Sequence, residues 1–515
     1  MARLWRSTLI FSSLTMLSRV FGLIRDMVIT AVFGAGPLMD AFLVAFKIPN
    51  FLRRLFAEGA FSQAFVPVLS DYKTNQSHEE VRRLISRTSG SLLLILTAIT
   101  VVVMIAAPYV VMVFAPGFID SPEQFALTTD LLRVTFPYLL LISLTAFASG
   151  VLNAYDSFAM PALAPVFLNL SFIGFAVFGT EFFSPPIMAL GWAVFVAGIL
   201  QFLLQLPELW QKRLLSAPIP DFKHPGVRRI LKLMLPALFG VSVTQINLLL
   251  NTVFASLMVA GSVTWLYAAE RLSELPMGLI GIAIGTVILP SLATKFSSND
   301  TGGYQKLMDW ALRVVVVFGV PASFGLFMLS YPLVDTLFGR GAFTDTDVLM
   351  STYAIRALSF GVIAFMLIKV FAPGFYARQD TSTPVKVGLI SVSANIIFNA
   401  LLLGAFWMLG VKQLHVALAL SSTLAAFVNA GLLYRALVKQ NIFHLDQRWI
   451  MFSSKIAAAA LLMSGAIYLL NFYYPVDGGA LLKVGFIGVS VVCSAIIYAG
   501  TLIVLGMRPT DFKAV

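Results

Sequence analysis

The chain has 515 residues and a formal net charge of +11, with 59% hydrophobic and 11% charged residues and a mean hydropathy of +0.90. Soluble proteins carry roughly 25% charged residues to cover a folded surface, so a water-soluble globular protein is excluded. The apolar runs are continuous rather than alternating, so an outer-membrane β-barrel is excluded as well.

A bilayer span takes about 20 apolar residues, and the hydrophobic runs predict fourteen transmembrane helices in an all-α polytopic membrane protein. Arg3 and Arg6 precede the first run as in a secretory signal. That run continues past Arg19 and Arg25 without a small-residue cleavage site, so it reads as a permanent span near 8–34. Spans near 41–69, 89–114, 127–152, 159–180 and 187–207 follow. Eight more lie near 230–257, 263–293, 309–330, 348–375, 385–407, 413–437, 450–472 and 480–505.

Alternate connections carry the cations: Lys73, Arg82, Arg83 and Arg87, then Lys212, Arg213, Lys223, Arg228 and Arg229, then Lys295 and Lys306, then Arg378, then Arg435, Lys439 and Arg448. Lys and Arg near span ends stay on the cytoplasmic side, so both termini are expected there. This distribution orients a membrane protein and does not suggest nucleic acid as a partner.

Sliding the chain against itself by 223 positions lays Pro67 on Pro290, Arg133 on Arg356, Ala154 on Ala377 and Pro161 on Pro384. The implied architecture is two six-helix lobes, residues 1–221 and 222–445, plus a C-terminal helix pair, 446–515. Six spans per repeat is an even number, which predicts a pseudo-two-fold axis along the membrane normal. The terminal pair is nearly free of charge apart from Lys455, Asp477 and Lys483 near its ends, which suits a lipid-facing or tail-holding surface.

No phosphate loop, HExxH or Gly-x-Ser-x-Gly pattern is present, so bond-breaking chemistry is not expected. Cys493 has no partner for a disulfide or thiolate site. His78, His224, His415 and His444 lack the spacing of paired metal ligands and are expected to be solvated. No cofactor is expected.

An ionisable group at bilayer depth costs roughly 2.5 to 3.5 kcal/mol unless it faces protein or water, so the interior charges are the candidate functional residues. Span one holds Arg19, Arg25 and Asp26. Span two holds Lys47, Arg53, Arg54 and Glu58, with Asp40 at its start. Span eight holds Glu270, Arg271 and Glu274, and Lys369 lies near the inner end of span ten. Arg19 and Arg25 point about 120° apart on a straight helix, a difference that bending at Gly22 or Gly34 would reconcile. Arg54 with Glu58 and Arg271 with Glu274 have pairing distances along a helix. Internal salt bridges with a snorkelling Lys47 are one account. A wet, anion-binding cavity is the other, since planar Arg forks bind phosphate bidentately. Arg133 and Arg356 read as architectural. Pro49, Pro67, Pro137, Pro236, Pro276, Pro290 and Pro373 interrupt the apolar runs and suggest mobile helices.

Met16-Leu-Ser-Arg-Val-Phe-Gly-Leu-Ile-Arg-Asp26, the long string from Asp40 to Pro67 and the segment from Glu270 to Pro290 resemble the MurJ (MviN) lipid II flippases of the MOP exporter superfamily. The resemblance runs over the whole chain. It implies fourteen helices, two lobes around a central cavity, a groove at the last two helices for the undecaprenyl tail, and transfer of the peptidoglycan precursor across a bacterial inner membrane. The family's cavity arginines fall on Arg19, Arg25, Arg53 and Arg271, with Asp40 and Glu274 as acidic partners. Lipid II and membrane lipids are the implied partners, with the cell-wall synthesis machinery as a further one. Coupling to Na+, H+ or the membrane potential stays open. A sodium site prefers a carboxylate, and the interior polar residues of the second repeat are Asn247, Asn251, Asn395, Asn399 and Thr423. A drug or cation antiporter of the same superfamily and a non-transporting membrane scaffold are the competing readings.

Overall fold

The computed structural model describes residues 2–55, 61–278 and 282–508, and among these all regular structure is helical. The first stretch forms α1 (Ala2–Phe33), α2 (Pro37–Arg53), α3 (Ser62–Asn75), α4 (His78–Ile105), α5 (Ala107–Phe114), α6 (Pro122–Thr135), α7 (Tyr138–Ala154), α8 (Ala159–Gly174), α9 (Met188–Leu203) and α10 (Leu206–Gln211). The next forms α11 (Pro225–Ser256), α12 (Ser262–Pro276), α13 (Ile282–Ser297), α14 (Thr301–Met328), α15 (Ser330–Leu337) and α16 (Asp345–Tyr376). The chain continues with α17 (Ser382–Met408), α18 (Leu414–Lys439), α19 (Arg448–Asn471) and α20 (Ala480–Val504).

Among the described residues, 10 helical stretches are long and apolar enough to cross a membrane. They carry expected spans three to six and nine to fourteen. The other four expected spans fall on α1, on α2 with α3, on α11, and on α12 with α13. Shifted by 223 positions, the bounds of α1, α4 and α5 become those of α11, α14 and α15. The π-helical turn at 54–55 after α2 likewise matches the one at 277–278 after α12.

Helix starts follow local chemistry. Ser77 caps α4 by accepting from Glu80 N at 3.3 Å, and Thr344 forms a reciprocal capping box with Asp347 on α16. Pro137 separates α6 from α7 and Pro276 is the last residue of α12, whereas Pro49, Pro67, Pro290 and Pro373 are accommodated inside their helices.

By contacts the chain divides into two compact units, Met1–Thr264 with Gly341–Phe343, and Trp265–Arg340 with Thr344–Val515. In the first, Phe61, Phe65 and Phe147 stack at 4.9–6.0 Å between ring centres and join α3 and α7 with Leu84 of α4 and Ile230 of α11 in one core. The segment 217–222 is strapped along α4, with Ile219 N donating to Ser86 O at 3.1 Å and Ser86 Oγ to Ala217 O at 2.6 Å. Gly90 permits that approach, because a Cβ there would overlap the Ile219 backbone. Gly341 to Phe343 closes the end of α1, where Ala342 N donates to Ala31 O at 2.8 Å. Gly34 and Gly341, both at φ +64°, face this contact.

Helices in lipid gain no hydrophobic drive toward one another, so polar bonds and small residues set their packing. In the second unit, Thr423 Oγ1 of α18 donates to Ala357 O of α16 at 2.8 Å. Trp449 Nε1 of α19 reaches Asp309 Oδ1 of α14 at 2.7 Å, beside the Arg313–Asp309 pair at 2.6 Å. Arg133 Nη1 donates to Asp130 Oδ1 on its own helix at 3.1 Å, and Arg356 Nε donates to Ser330 Oγ at 3.1 Å.

Two expectations are corrected. His415 is not solvated: it is 1% exposed, with Nε2 2.9 Å from Met350 O and its ring 5.0 Å from Trp265. Gly34 ends α1 instead of bending it, and α1 runs unbroken from Ala2 to Phe33. Lys47 Nζ donates to Thr252 Oγ1 at 3.1 Å.

Candidate functional site

The unbroken α1 sends its two arginines different ways. Arg19 is exposed, whereas Arg25, six residues on, is 7% exposed and turned into the packing of α1 against α8. There Nε and Nη2 of Arg25 both donate to Asp26 Oδ1, at 3.0 and 2.7 Å. Nη1 donates to Asn169 Oδ1 at 3.2 Å, and the guanidinium lies 5.3 Å from the Phe172 ring. Asn169 also donates to Ser18 O at 3.0 Å, so one amide on α8 grips α1 at two points flanking Gly22. A Cβ on Gly22 would meet Asn169 at 3.7 Å. A buried guanidinium is tolerable where a carboxylate, an amide oxygen and a ring face share its charge. The sequence reading missed Asn169; its one signal is an amide inside the apolar run of span five.

Asp40, expected beside the arginines, instead caps α12. Its Oδ2 accepts from Gly261 N at 2.7 Å, and Oδ1 accepts from Thr264 N at 2.9 Å and Thr264 Oγ1 at 2.6 Å. A carboxylate in the first turn of α2 thereby satisfies the orphan donors and positive dipole end of a helix more than 200 residues later. Arg53, half-buried at the end of α2, donates through Nε to Asn50 Oδ1 at 2.9 Å. Arg54 is the helical residue that follows α2, while Glu58, its expected partner, lies outside the described residues.

In the second unit, Arg271 Nη1 pairs with Glu274 Oε2 at 3.3 Å, as the spacing predicts, and the guanidinium stacks 5.0 Å from the Tyr267 ring. Glu270 is half-buried, and Glu274 and Lys369 are exposed. Next to Arg271, α12 borders an apolar groove of about 690 Å³. Leu272, Leu275 and Pro276 of α12 line it together with Phe318 and Pro321 of α14 and Tyr498 of α20.

A cavity of about 710 Å³ in the first unit has Asp40, Glu123 and Asp130 as its charged lining, which makes it a poor host for an anion. On α17, Asn399 Nδ2 donates to Asn395 Oδ1 at 3.1 Å, and both residues are fully buried. Asn399 Oδ1 has no protein partner. Thr423 is committed to Ala357 O, and Asn251 is half-buried on α11. The side chain of Asn247 lies outside the described residues. Among the described residues no three carboxylate, imidazole or thiolate groups cluster as a metal site.

Long apolar helices, arginines held within the bundle and an apolar groove beside one of them place the chain among the polytopic helical membrane transporters. A solved multidrug-resistance MATE family transporter of the MOP superfamily, in an inward-facing conformation, shares the fold, with a TM-score of 0.66 at 13% identity over 84% of this chain and 98% of that one. The profile of the family described as Lipid II flippase MurJ matches residues 29–484, and the chain belongs to that family. It is 42% identical to a probable lipid II flippase MurJ of Haemophilus influenzae, over 96% of this chain and 98% of the relative. It is 40% identical to the lipid II flippase MurJ of Burkholderia cenocepacia, over 99% of each. A solved lipid II flippase MurJ in an inward closed conformation matches with a TM-score of 0.78 and 26% identity, covering 96% of this chain and 100% of that one.

Proposed function

We propose that the protein moves lipid II, the undecaprenyl-diphosphate-linked peptidoglycan precursor, from the cytoplasmic to the periplasmic leaflet of a bacterial inner membrane. The observation that carries this reading is the double character of α12: Arg271 sits beside Leu272, Leu275 and Pro276, which line an apolar groove. Such a helix suits an amphiphile with an anionic head and a long hydrocarbon tail.

Arg forks replace the water around a diphosphate with charge-assisted hydrogen bonds. Asp26 holds Arg25 and Glu274 holds Arg271. On this reading phosphate oxygens displace the carboxylate from each arginine that the head reaches, Arg19 and Arg53 offer further cations, and the tail stays in the groove or in lipid. The proposal includes fourteen spans, cytoplasmic termini, the two repeats as the two lobes, and alternating access. Enzymes that make and polymerise the precursor are its proposed neighbours. We further propose the membrane potential as the driving force. It acts on a charged head or cavity at about 2.3 kcal/mol per unit charge per 100 mV, and the α17 amides lack the carboxylate a Na+ site prefers.

Reconstitution in vesicles with labelled lipid II tests the reading. Arg25→Gln and Arg271→Gln, in stably inserted protein, are expected to slow translocation at least about tenfold, or 1.4 kcal/mol. Unchanged rates in both overturn it. Proton-coupled efflux of an organic cation from the same vesicles favours the antiporter instead.

A further inference from the structure

α20 is the most lightly held helix of the second unit. Its buried residues form one narrow stripe, Ser490, Ser494, Tyr498 and Leu502, and its other faces are largely exposed. With no hydrophobic drive pressing it inward, polar contacts decide where it stands. One is the bond from Tyr498 OH to Val317 O of α14, at 2.8 Å.

The other is a buried cluster near the start of α20. Asp335 on α15 is 6% exposed. Its Oδ2 accepts from Lys483 Nζ at 2.7 Å and from Tyr474 OH at 2.5 Å. The Tyr474 hydroxyl also lies 3.1 Å from Thr336 Oγ1, and its ring packs edge-on to Phe486 at 5.2 Å. Burial and the adjacent Asp335 carboxylate push the Tyr474 phenol above its usual range, so it remains a donor. Lys483 is the one charged residue in the sequence of α20. A lysine near a helix end would ordinarily snorkel to the membrane surface, yet this side chain is 14% exposed. A buried ion pair adds little net stability, because desolvation offsets its attraction. What it fixes here is position, since one carboxylate oxygen binds both α20 and the connection that precedes it.

The apolar groove shares α15 and α20 with this cluster. Leu333, two residues before Asp335, lines one end, and the lining continues down α14 to Val317 and along α20 to Leu502. We propose that Asp335, Tyr474 and Lys483 form a clasp that fixes α20 as the wall of the groove and so determines how firmly a long polyprenyl chain is retained. This rests on the groove being the tail site, as the lipid II reading holds. A short isoprenoid leaves most of the groove empty and is indifferent to the wall; a long one depends on it.

The test measures release of undecaprenyl diphosphate and farnesyl diphosphate from the full-length protein in nanodiscs. Asp335→Asn with Lys483→Met removes both charges together and so leaves no uncompensated ion. Loss of about 50 Å² of apolar contact at about 25 cal/mol per Å² corresponds to roughly tenfold faster release of the long chain, with the short one unchanged. Lys483→Arg, which keeps a cation, is expected to restore retention. Long-chain release at the wild-type rate overturns the clasp, as does a parallel loss of both lipids. Wild-type protein that binds neither diphosphate overturns the lipid II reading, and the clasp falls with it.

Discussion

Replacing Asn169 by leucine isolates the amide that holds Arg25. Leucine keeps the volume and removes two hydrogen bonds, the one from Arg25 Nη1 at 3.2 Å and the one to Ser18 O at 3.0 Å. A bond to a charged group contributes about 1.5–3 kcal/mol and a neutral one about 0.5–1.5 kcal/mol. Ser18 is half-exposed, so its carbonyl can recover a water partner and the Arg25 loss dominates. The net cost is about 2–3 kcal/mol. If that energy holds Arg25 in the geometry translocation requires, the rate falls about 30- to 150-fold. Initial rates of labelled lipid II transfer in vesicles, normalised to inserted protein, give the number, and Asn169→Ala serves as a second variant. A rate within about twofold of wild type for both, with Arg25→Gln still inactive, refutes the positioning role.

Asp40→Asn keeps the shape but turns an NH₂ group toward a backbone donor at the start of α12. It is expected to cost about 1–3 kcal/mol, read as a lower unfolding midpoint in detergent; an unchanged midpoint refutes the capping role. Gly90→Ala drives a Cβ into the Ile219 backbone, and is expected to speed hydrogen exchange across 217–222 while leaving α14 unaffected. Asp300 caps α14 and accepts from Lys295 Nζ at 2.7 Å, a bond that holds its carboxyl below the usual carboxylate range. Because the folded value is depressed, its contribution is present above the unfolded value of about 3.9 and disappears as pH falls through the lower folded one. Exchange at 301–304 should therefore rise only in strong acid, and Asp300→Asn should remove that pH dependence.

Hydropathy made the spans legible because a bilayer imposes one length on every apolar run. It did not reveal the π-helical turns after Arg53 and after Pro276, since a window of residues averages over a single turn. The charged positions of α1, α2 and α12 were legible because each violates an apolar pattern at a cost. Their partners were not. Asp40 reads as a neighbour of arginines until the start of α12 is placed beside it, and Lys483 reads as a surface lysine until α15 supplies Asp335. His415 looked solvated for the same reason: a polar residue at a helix end has no visible acceptor until Met350 O arrives from another helix. Arg271 with Glu274 was readable outright, because both partners share one helix at a pairing distance.

The tripeptide Gly341 to Phe343 sets an order of events during biosynthesis. It completes the end of α1, yet about 300 residues of chain separate the two. At about 5–20 residues per second, the ribosome delivers this missing piece roughly 15–60 s after α1 has emerged. Throughout that interval the Ala31 carbonyl and the sharp bend at Gly34 must be stabilised by something else: water, a lipid headgroup or the insertion machinery. The amino-terminal half is therefore finished only after much of the carboxy-terminal half has been translated, and nascent chains truncated before Gly341 should stay protease-sensitive at the Gly34 turn even when every earlier helix has been inserted.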